Sequence, residues 1–327
     1  MQKKKILFFF SSILIFIFIF IIFYPKIDIK KIFKRNILSN NKKIRIATAL
    51  NNTRLFLEGD FKNDLKKKNI DLEVIFLDNQ YKLTNDLLLQ DQVLATFDSH
   101  LPYVKNKLRA ENKLDQNIVI AHPFYLSKIG FYSDLSRMNN NSNTQNIENI
   151  KEGIKKGYKY KIILPFSVEQ KSLFLLFLQQ MDLIRLKLNI SSKEKEFDES
   201  DFDIPEQIEL IKSLNMISLY HEFKNDKSIH FLMNYPGILG KEKDNLILIK
   251  SLEIPLNDVK NPIYDYTISL IVKEKNVNSE DVKILKETLS QQKFIDSMNK
   301  SFGLYLEMIS LDKMNEIIIN VNNKYNY

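Results

Sequence analysis

Ile44-Arg45-Ile46-Ala47, a polar turn, an amphipathic stretch from Thr53 to Lys68, an apolar run from Leu72 to Leu77 and a second amphipathic stretch from Leu83 to Gln90 decide the fold class. The short runs alternate or stay apolar, as a strand does. The longer stretches repeat their apolar residues every three to four positions, as a helix does. Strand, helix, strand, helix predicts an α/β sheet with parallel neighbours, because a parallel pair needs a long crossover and a helix supplies it.

Further along, strands are expected at Ile118 to Ala121, Lys128 to Tyr132, Lys161 to Leu164, His230 to Met233, Leu246 to Lys250 and Thr267 to Val272. Helices are expected at Val168 to Gln180, Glu206 to Leu214 and Ser279 to Ser290, with Gln291 to Lys300 continuing the last. Met138 to Asn149 is nearly all Asn, Ser, Thr and Gln and reads as a surface loop. No internal repeat is visible.

Upstream, Lys3-Lys4-Lys5 precedes Ile6 to Tyr24, a run whose only non-hydrophobic members are Ser11 and Ser12. A helix of that length spans roughly 28 Å, close to a bilayer core. The run ends in Phe23-Tyr24-Pro25-Lys26 with no small-residue cleavage site, so a retained transmembrane anchor is expected. Residues 1–35 form this anchor with its basic flanks, and 36–43 read as a polar linker. Basic residues lie on both sides, so charge alone does not orient the span.

The 327 residues, 44% hydrophobic, suffice for one large domain or two lobes. Residues 1–35 hold eight Lys/Arg against Asp28 alone, so +7 of the net +8 lies there, and the rest is 40 basic against 39 acidic. A folded part so nearly neutral lacks the basic footprint of phosphate recognition, and no nucleic-acid partner is expected. Cysteine is absent, which excludes disulfides, thiolate metal sites, a cysteine nucleophile and a cysteine-linked lipid.

Five collinear motifs between about residues 44 and 310 resemble the methionine-binding lipoprotein (NlpA/MetQ) family of ABC-transporter substrate-binding proteins. They are Asn79 to Leu88; His100-Leu101-Pro102-Tyr103-Val104; Ile129-Gly130-Phe131-Tyr132-Ser133; Lys171-Ser172-Leu173 through Leu183-Ile184-Arg185-Leu186-Lys187; and Asn234 with Leu270-Ile271-Val272. The resemblance implies a two-lobed, periplasmic-binding-protein-like fold of type II, with two crossover strands and an amino acid enclosed between the lobes. Lobe 1 would be 44–130 with 266–327 and lobe 2 would be 131–265. The function implied is an extracytoplasmic receptor that delivers methionine or a related amino acid to a permease driven by an ATPase. The binding domain would lie outside the cell on its single-pass anchor. A rival reading keeps the fold in a membrane-anchored surface or adhesion protein without transport.

Carried over residue by residue, the ligand site comprises Tyr81, His100, Tyr103, Lys171, Asn234 and Ser269. Lys171 stands where the family has a carboxylate-clamping Arg, so charge pairing survives without the two-pronged fork. It also reads as an ordinary solvated lysine near a helix start. Ser269 replaces an Asn, and Asp98 replaces a Phe two residues before the His, unless a one-residue shift lets Phe97 take that place. Asp98 either points to solvent or meets a cationic ligand group, since an unpaired carboxylate in a closed apolar cleft is costly. Asn234-Tyr235-Pro236-Gly237 also reads simply as a turn.

No dinucleotide, phosphate-loop, nucleophile-elbow or zinc-protease motif is present, and no enzymatic activity or cofactor is expected. His100, His122, His221 and His230 fit no metal-ligand spacing. The acidic run Glu194 to Asp201 reads as an exposed loop.

Overall fold

The computed structural model describes residues 42–113, 116–134, 137, 146–166, 170–187, 197–213, 216–255 and 258–325. The expected anchor at 6–24, its basic flanks and most of the 36–43 linker lie outside the described residues. Among the described residues no helix is long and apolar enough to cross a membrane.

The chain opens as sequence periodicity predicts. Strand β1 (Lys42–Thr48) leads into α1 (Asn51–Phe56), a π turn (Leu57–Phe61) and α2 (Lys62–Lys67). Then come β2 (Ile70–Phe76), α3 (Tyr81–Leu89), β3 (Ala95–Ser99), α4 (Leu101–Ala110) and the long β4 (Ile118–Ser127). After β5 (Gly130–Asp134), α5 (Ile147–Lys155), β6 (Tyr160–Pro165) and α6 (Lys171–Gln180), a small hairpin pairs β7 (Arg185–Leu186) with β8 (Phe202–Asp203). The second half runs through β9 (Ile208–Ser213), α7 (Leu219–Asn225), β10 (Phe231–Asn234), α8 (Pro236–Leu239) and β11 (Leu246–Ser251). It ends with β12 (Ile268–Lys273), α9 (Glu280–Leu289), α10 (Gln292–Phe302), β13 (Leu306–Met308) and α11 (Met314–Tyr325).

These strands form two main sheets, ordered β13-β4-β12-β3-β1-β2 and β11-β5-β10-β6-β9. In the first, β1 and β3 are parallel and β12 runs antiparallel between β3 and β4. In the second, β6 lies parallel between β10 and β9. All five residues of β3 are buried, as a central strand covered on both faces requires. One face of the first sheet carries an aromatic cluster in which Phe56 sits 5.3, 5.1 and 5.7 Å from the rings of Phe61, Phe124 and Phe294.

The chain passes between the sheets twice. At the first passage the Lys128 N–H donates to the Tyr305 carbonyl (2.9 Å), extending the β4–β13 ladder. One residue later the Ile129 carbonyl accepts from the Leu252 N–H (2.8 Å), extending the β5–β11 ladder. The second passage occupies the longer stretch between β11 and β12.

Gly130 starts β5 at this passage. A Cβ there would lie 2.2 Å from the ring of Tyr132, which is 4% exposed and has no room to retreat. Gly130→Ala is expected to destabilise the protein by about 1–3 kcal/mol as an overpacking change. The measurement is the urea midpoint; an unmoved midpoint would show that the ring swings aside at no cost.

Several elements differ from the sequence reading. The helix expected at Glu206 to Leu214 is strand β9, paired in parallel register with β6 from Tyr160↔Ile208 to Pro165↔Ser213. Ile208, Leu210 and Ile211 satisfy both periods over so short a run, and the ladder decides. The strand expected from Lys128 begins at Gly130. Of the loop expected at Met138 to Asn149, 138–145 lie outside the described residues, and α5 begins at Ile147, capped by the Asn146 side chain. The helix expected from Val168 starts at Lys171.

The acidic run also departs from expectation, its described part beginning at residue 197. Asp198 and Asp201 cap a 3₁₀ turn reciprocally: Asp198 accepts from the Glu199 N–H (2.7 Å) and Asp201 from the Asp198 N–H (2.8 Å). Asp201 is only 5% exposed. Paired capping of orphan amides fixes these carboxylates, Asp201 buried and Asp198 with 46% of its side chain exposed.

Candidate ligand site between the two sheets

Parallel strands direct their carboxyl ends to one edge, and the loops leaving those ends are where open α/β sheets hold ligands. In the first sheet those loops carry Ala49 after β1, Tyr81 beyond β2, and Asp98 to His100 at the end of β3. In the second they carry Phe166 and Lys171 after β6, Ser213 at the end of β9, and Asn234-Tyr235 after β10.

His100 caps α4. Its Nδ1 accepts from the Tyr103 N–H (3.2 Å), which places the proton of the neutral ring on Nε2. Pro102 in the first helical turn presets the backbone there. The His100 ring stands 6.1 Å from Tyr103 and 4.9 Å from Tyr266, edge to face in both cases.

Tyr81 is the first residue of α3. Burial pushes its phenol up to about 12, and the neighbouring Asp98, Tyr103 and Asp78 add to the rise. Tyr235, from the opposite sheet, is raised mainly by burial and also by Tyr81. The Phe174 ring supports it edge-on at 5.4 Å. Tyr81, which feels Tyr103 on its own side, is thus also near enough to act on Tyr235 of the other.

Asp98 is 1% exposed and lies inside this edge, not in solvent as one sequence reading allowed. Its Oδ2 accepts from the Ala49 N–H (2.8 Å) and its Oδ1 from the Ser99 hydroxyl (2.8 Å). The Thr84 hydroxyl, which donates to the Tyr81 carbonyl (2.9 Å), lies beside it and favours its charged form. Burial outweighs these donors and pushes the carboxyl up to about 6. A short polar residue at a buried strand end survives because the Ala49 N–H and the Ser99 hydroxyl reach it.

The remaining sequence-selected residues are engaged locally. Lys171 Nζ pairs with Asp198 (2.9 Å), and that ammonium holds the Asp198 carboxyl below the usual carboxylate range. Asn234 is fully buried; its Nδ2 donates to the Met216 carbonyl (3.2 Å) and its Oδ1 accepts from the Tyr235 N–H (2.8 Å). Ser269, opposite Ser99 in the β12–β3 register, donates to the Thr267 carbonyl (3.0 Å). Sequence reasoning did not select Tyr235, although it adjoins Asn234, or the 3₁₀ turn that places Tyr266. A depression of about 560 Å³ lined by Asp182, Arg185, Asp203 and Pro205 lies near the far end of α6 from Lys171 and is not this site.

Two α/β lobes joined by two chain passages, with aromatic and polar side chains meeting at their facing edges, define the class of substrate-binding proteins that close around a ligand. The sequence profile of the NlpA lipoprotein family matches residues 44–213, and the chain belongs to that family. It is a family of substrate-binding transport proteins, not of enzymes. The chain is 26% identical over 244 residues to the methionine-binding lipoprotein MetQ of Bacillus subtilis, covering 73% of this chain and 78% of that protein. Its fold is similar to that of a YaeC-family lipoprotein from Enterococcus faecalis, with a TM-score of 0.64 and 19% identity over 83% of this chain and all of the other. An ABC transporter periplasmic substrate-binding protein from Coxiella burnetii gives a TM-score of 0.58 at 18% identity, covering 81% of this chain and all of the other.

Proposed function

We propose that the chain is the extracytoplasmic substrate-binding component of an ABC importer, held at the membrane through residues 6–24, that encloses an amino acid between its lobes. The lobes are taken as 44–130 with 266–327, and 131–265. The reference ligand is methionine, after the described role of the Bacillus subtilis relative. The observation that supports this reading best is that α4, which His100 caps and which carries Tyr103, and α6, which carries Lys171, both pack on the 3₁₀ turn Pro262–Tyr266, with the His100 ring 4.9 Å from that of Tyr266.

Tyr81, His100 and Tyr103 would supply ring faces and hydrogen-bonding edges from one lobe, with Ser269 beside them on β12. Lys171 and Asn234 would act from the other, after exchanging their present partners for the ligand. Contacts from both sides would favour the closed form, which is presented to the permease and its ATPase.

The test is a thermal-unfolding screen of the full chain in detergent, freed of co-purified ligand by unfolding and refolding, against the twenty common L-amino acids. A ligand at a hundredfold excess over its Kd adds about 2.7 kcal/mol of stability and raises the midpoint accordingly. No rise with any amino acid would overturn the proposal.

A further inference from the structure

The facing edges are unbalanced in charge. Lys171 is paired with Asp198 at 2.9 Å and Lys212 with Glu199 at 2.6 Å, so the nearby cations of the second lobe are neutralised there. Arg54, in the first lobe, is drawn to the edge strand, where it lies 4.6 Å over the Phe76 ring and bonds Asn51. Asp98 has neutral donors, and among the described residues no lysine or arginine forms an ion pair with it. A buried carboxylate held by neutral donors alone is costly to keep charged, and a cation brought to it recovers that cost. Tyr81 lies close enough to feel the Asp98 charge, and an aromatic face attracts a cation by about 0.5–2 kcal/mol.

We propose that the ligand carries an organic cation, an ammonium or guanidinium side chain, which it brings to Asp98 and the ring of Tyr81. This makes the ligand a basic amino acid, not an aliphatic one. The inference rests on the reading of this edge as the ligand site. Asp98 thereby becomes the residue that sets specificity, and the Ala49 N–H and the Ser99 hydroxyl hold it in position.

The groups near Asp98 that carry ionisable side chains are Tyr81 on α3, Tyr125 on β4 and, two residues along the chain, His100 at the start of α4. The phenols stay neutral below pH 9. The pH profile is read with and without the Asp98 carboxyl.

The experiment is a calorimetric titration of the full chain in detergent with L-lysine, L-arginine, L-methionine and L-norleucine at pH 7.5 and pH 5. The expected result is lysine or arginine binding at least about tenfold more tightly than norleucine at pH 7.5, an advantage of about 1.4 kcal/mol or more. That advantage should shrink at pH 5 as Asp98 takes up its proton. Asp98→Asn should remove it at both pH values. The native chain at two pH values keeps the test decisive if the variant folds poorly. Binding of methionine and norleucine with no response to the basic amino acids would overturn the inference and leave the receptor reading standing. A basic ligand whose affinity is indifferent to both pH and Asp98→Asn would remove Asp98 from the site. Silence from all four ligands, together with no thermal rise in the wider screen, would overturn the receptor reading itself.

Discussion

Raising the pH from about 4 to 7 is expected to cost the folded protein about 3 kcal/mol through Asp98 alone, and Asp98→Asn is expected to remove that cost. In the unfolded chain this carboxyl titrates at 3.8; in the folded chain burial moves it to about 6. Between those values the folded state keeps a proton that the unfolded state has released. Stability therefore falls with rising pH across the window, and the loss is complete above it. A gap of roughly two pH units corresponds to about 3 kcal/mol. Asn can accept the Ala49 N–H through its oxygen and donate to the Ser99 hydroxyl, so the variant keeps the shape without the charge. Asp64, Asp91 and Asp198 are held low by lysine partners and gain stability as pH rises, which masks the effect in the native chain alone. The informative quantity is the difference between the urea-derived stabilities of the two proteins, followed from pH 4 to 7. Parallel curves would show that Asp98 is not titrating in a buried place.

Lys324→Met is expected to be more damaging. Asp265, in the 3₁₀ turn Pro262–Tyr266 that precedes β12, is 5% exposed and accepts from both Lys324 and the Tyr325 hydroxyl of α11. Its carboxyl is raised chiefly by burial, with Lys324 acting against the rise. Removing the ammonium leaves a buried acid with one neutral donor, a change that costs roughly 3–5 kcal/mol in comparable pairs. Asp265→Asn added to Lys324→Met should restore much of the loss, because the stranded charge is gone. The double-mutant cycle by chemical denaturation decides the matter: a single-variant loss below about 1 kcal/mol would mean that the pair is a solvated surface contact.

The α/β alternation from residue 44 to 90 was legible because each element is long enough to display its own period. β3 was not, since Thr96, Asp98 and Ser99 interrupt its apolar run, and the burial of Asp98 depends on the Ala49 N–H that follows β1. The pairing of Lys171 with Asp198 crosses 27 positions of chain and an acidic segment whose composition suggests solvent. The His100–Tyr103 relation was readable because it is local, one helical turn with a proline between. Tyr235 was hidden for the opposite reason, as its place is set by which sheet edge faces which. Local chemistry shows in a sequence, and long-range partners show only once strand order is known.

The first passage between the sheets leaves very little slack. The Lys128 amide belongs to one ladder and the Ile129 carbonyl to the other, so only the torsions between those two atoms are free of a sheet. The second passage has a dozen or more residues to distribute any change. In the proposed opening, one connection would work as a fulcrum and the other as a tether, so that the lobes would turn about a nearly fixed point and the travel of the far rim would scale with its distance from Ile129. Side chains near that point, such as Tyr132, would sense small angles, whereas those at the rim would sweep through ångströms for the same turn.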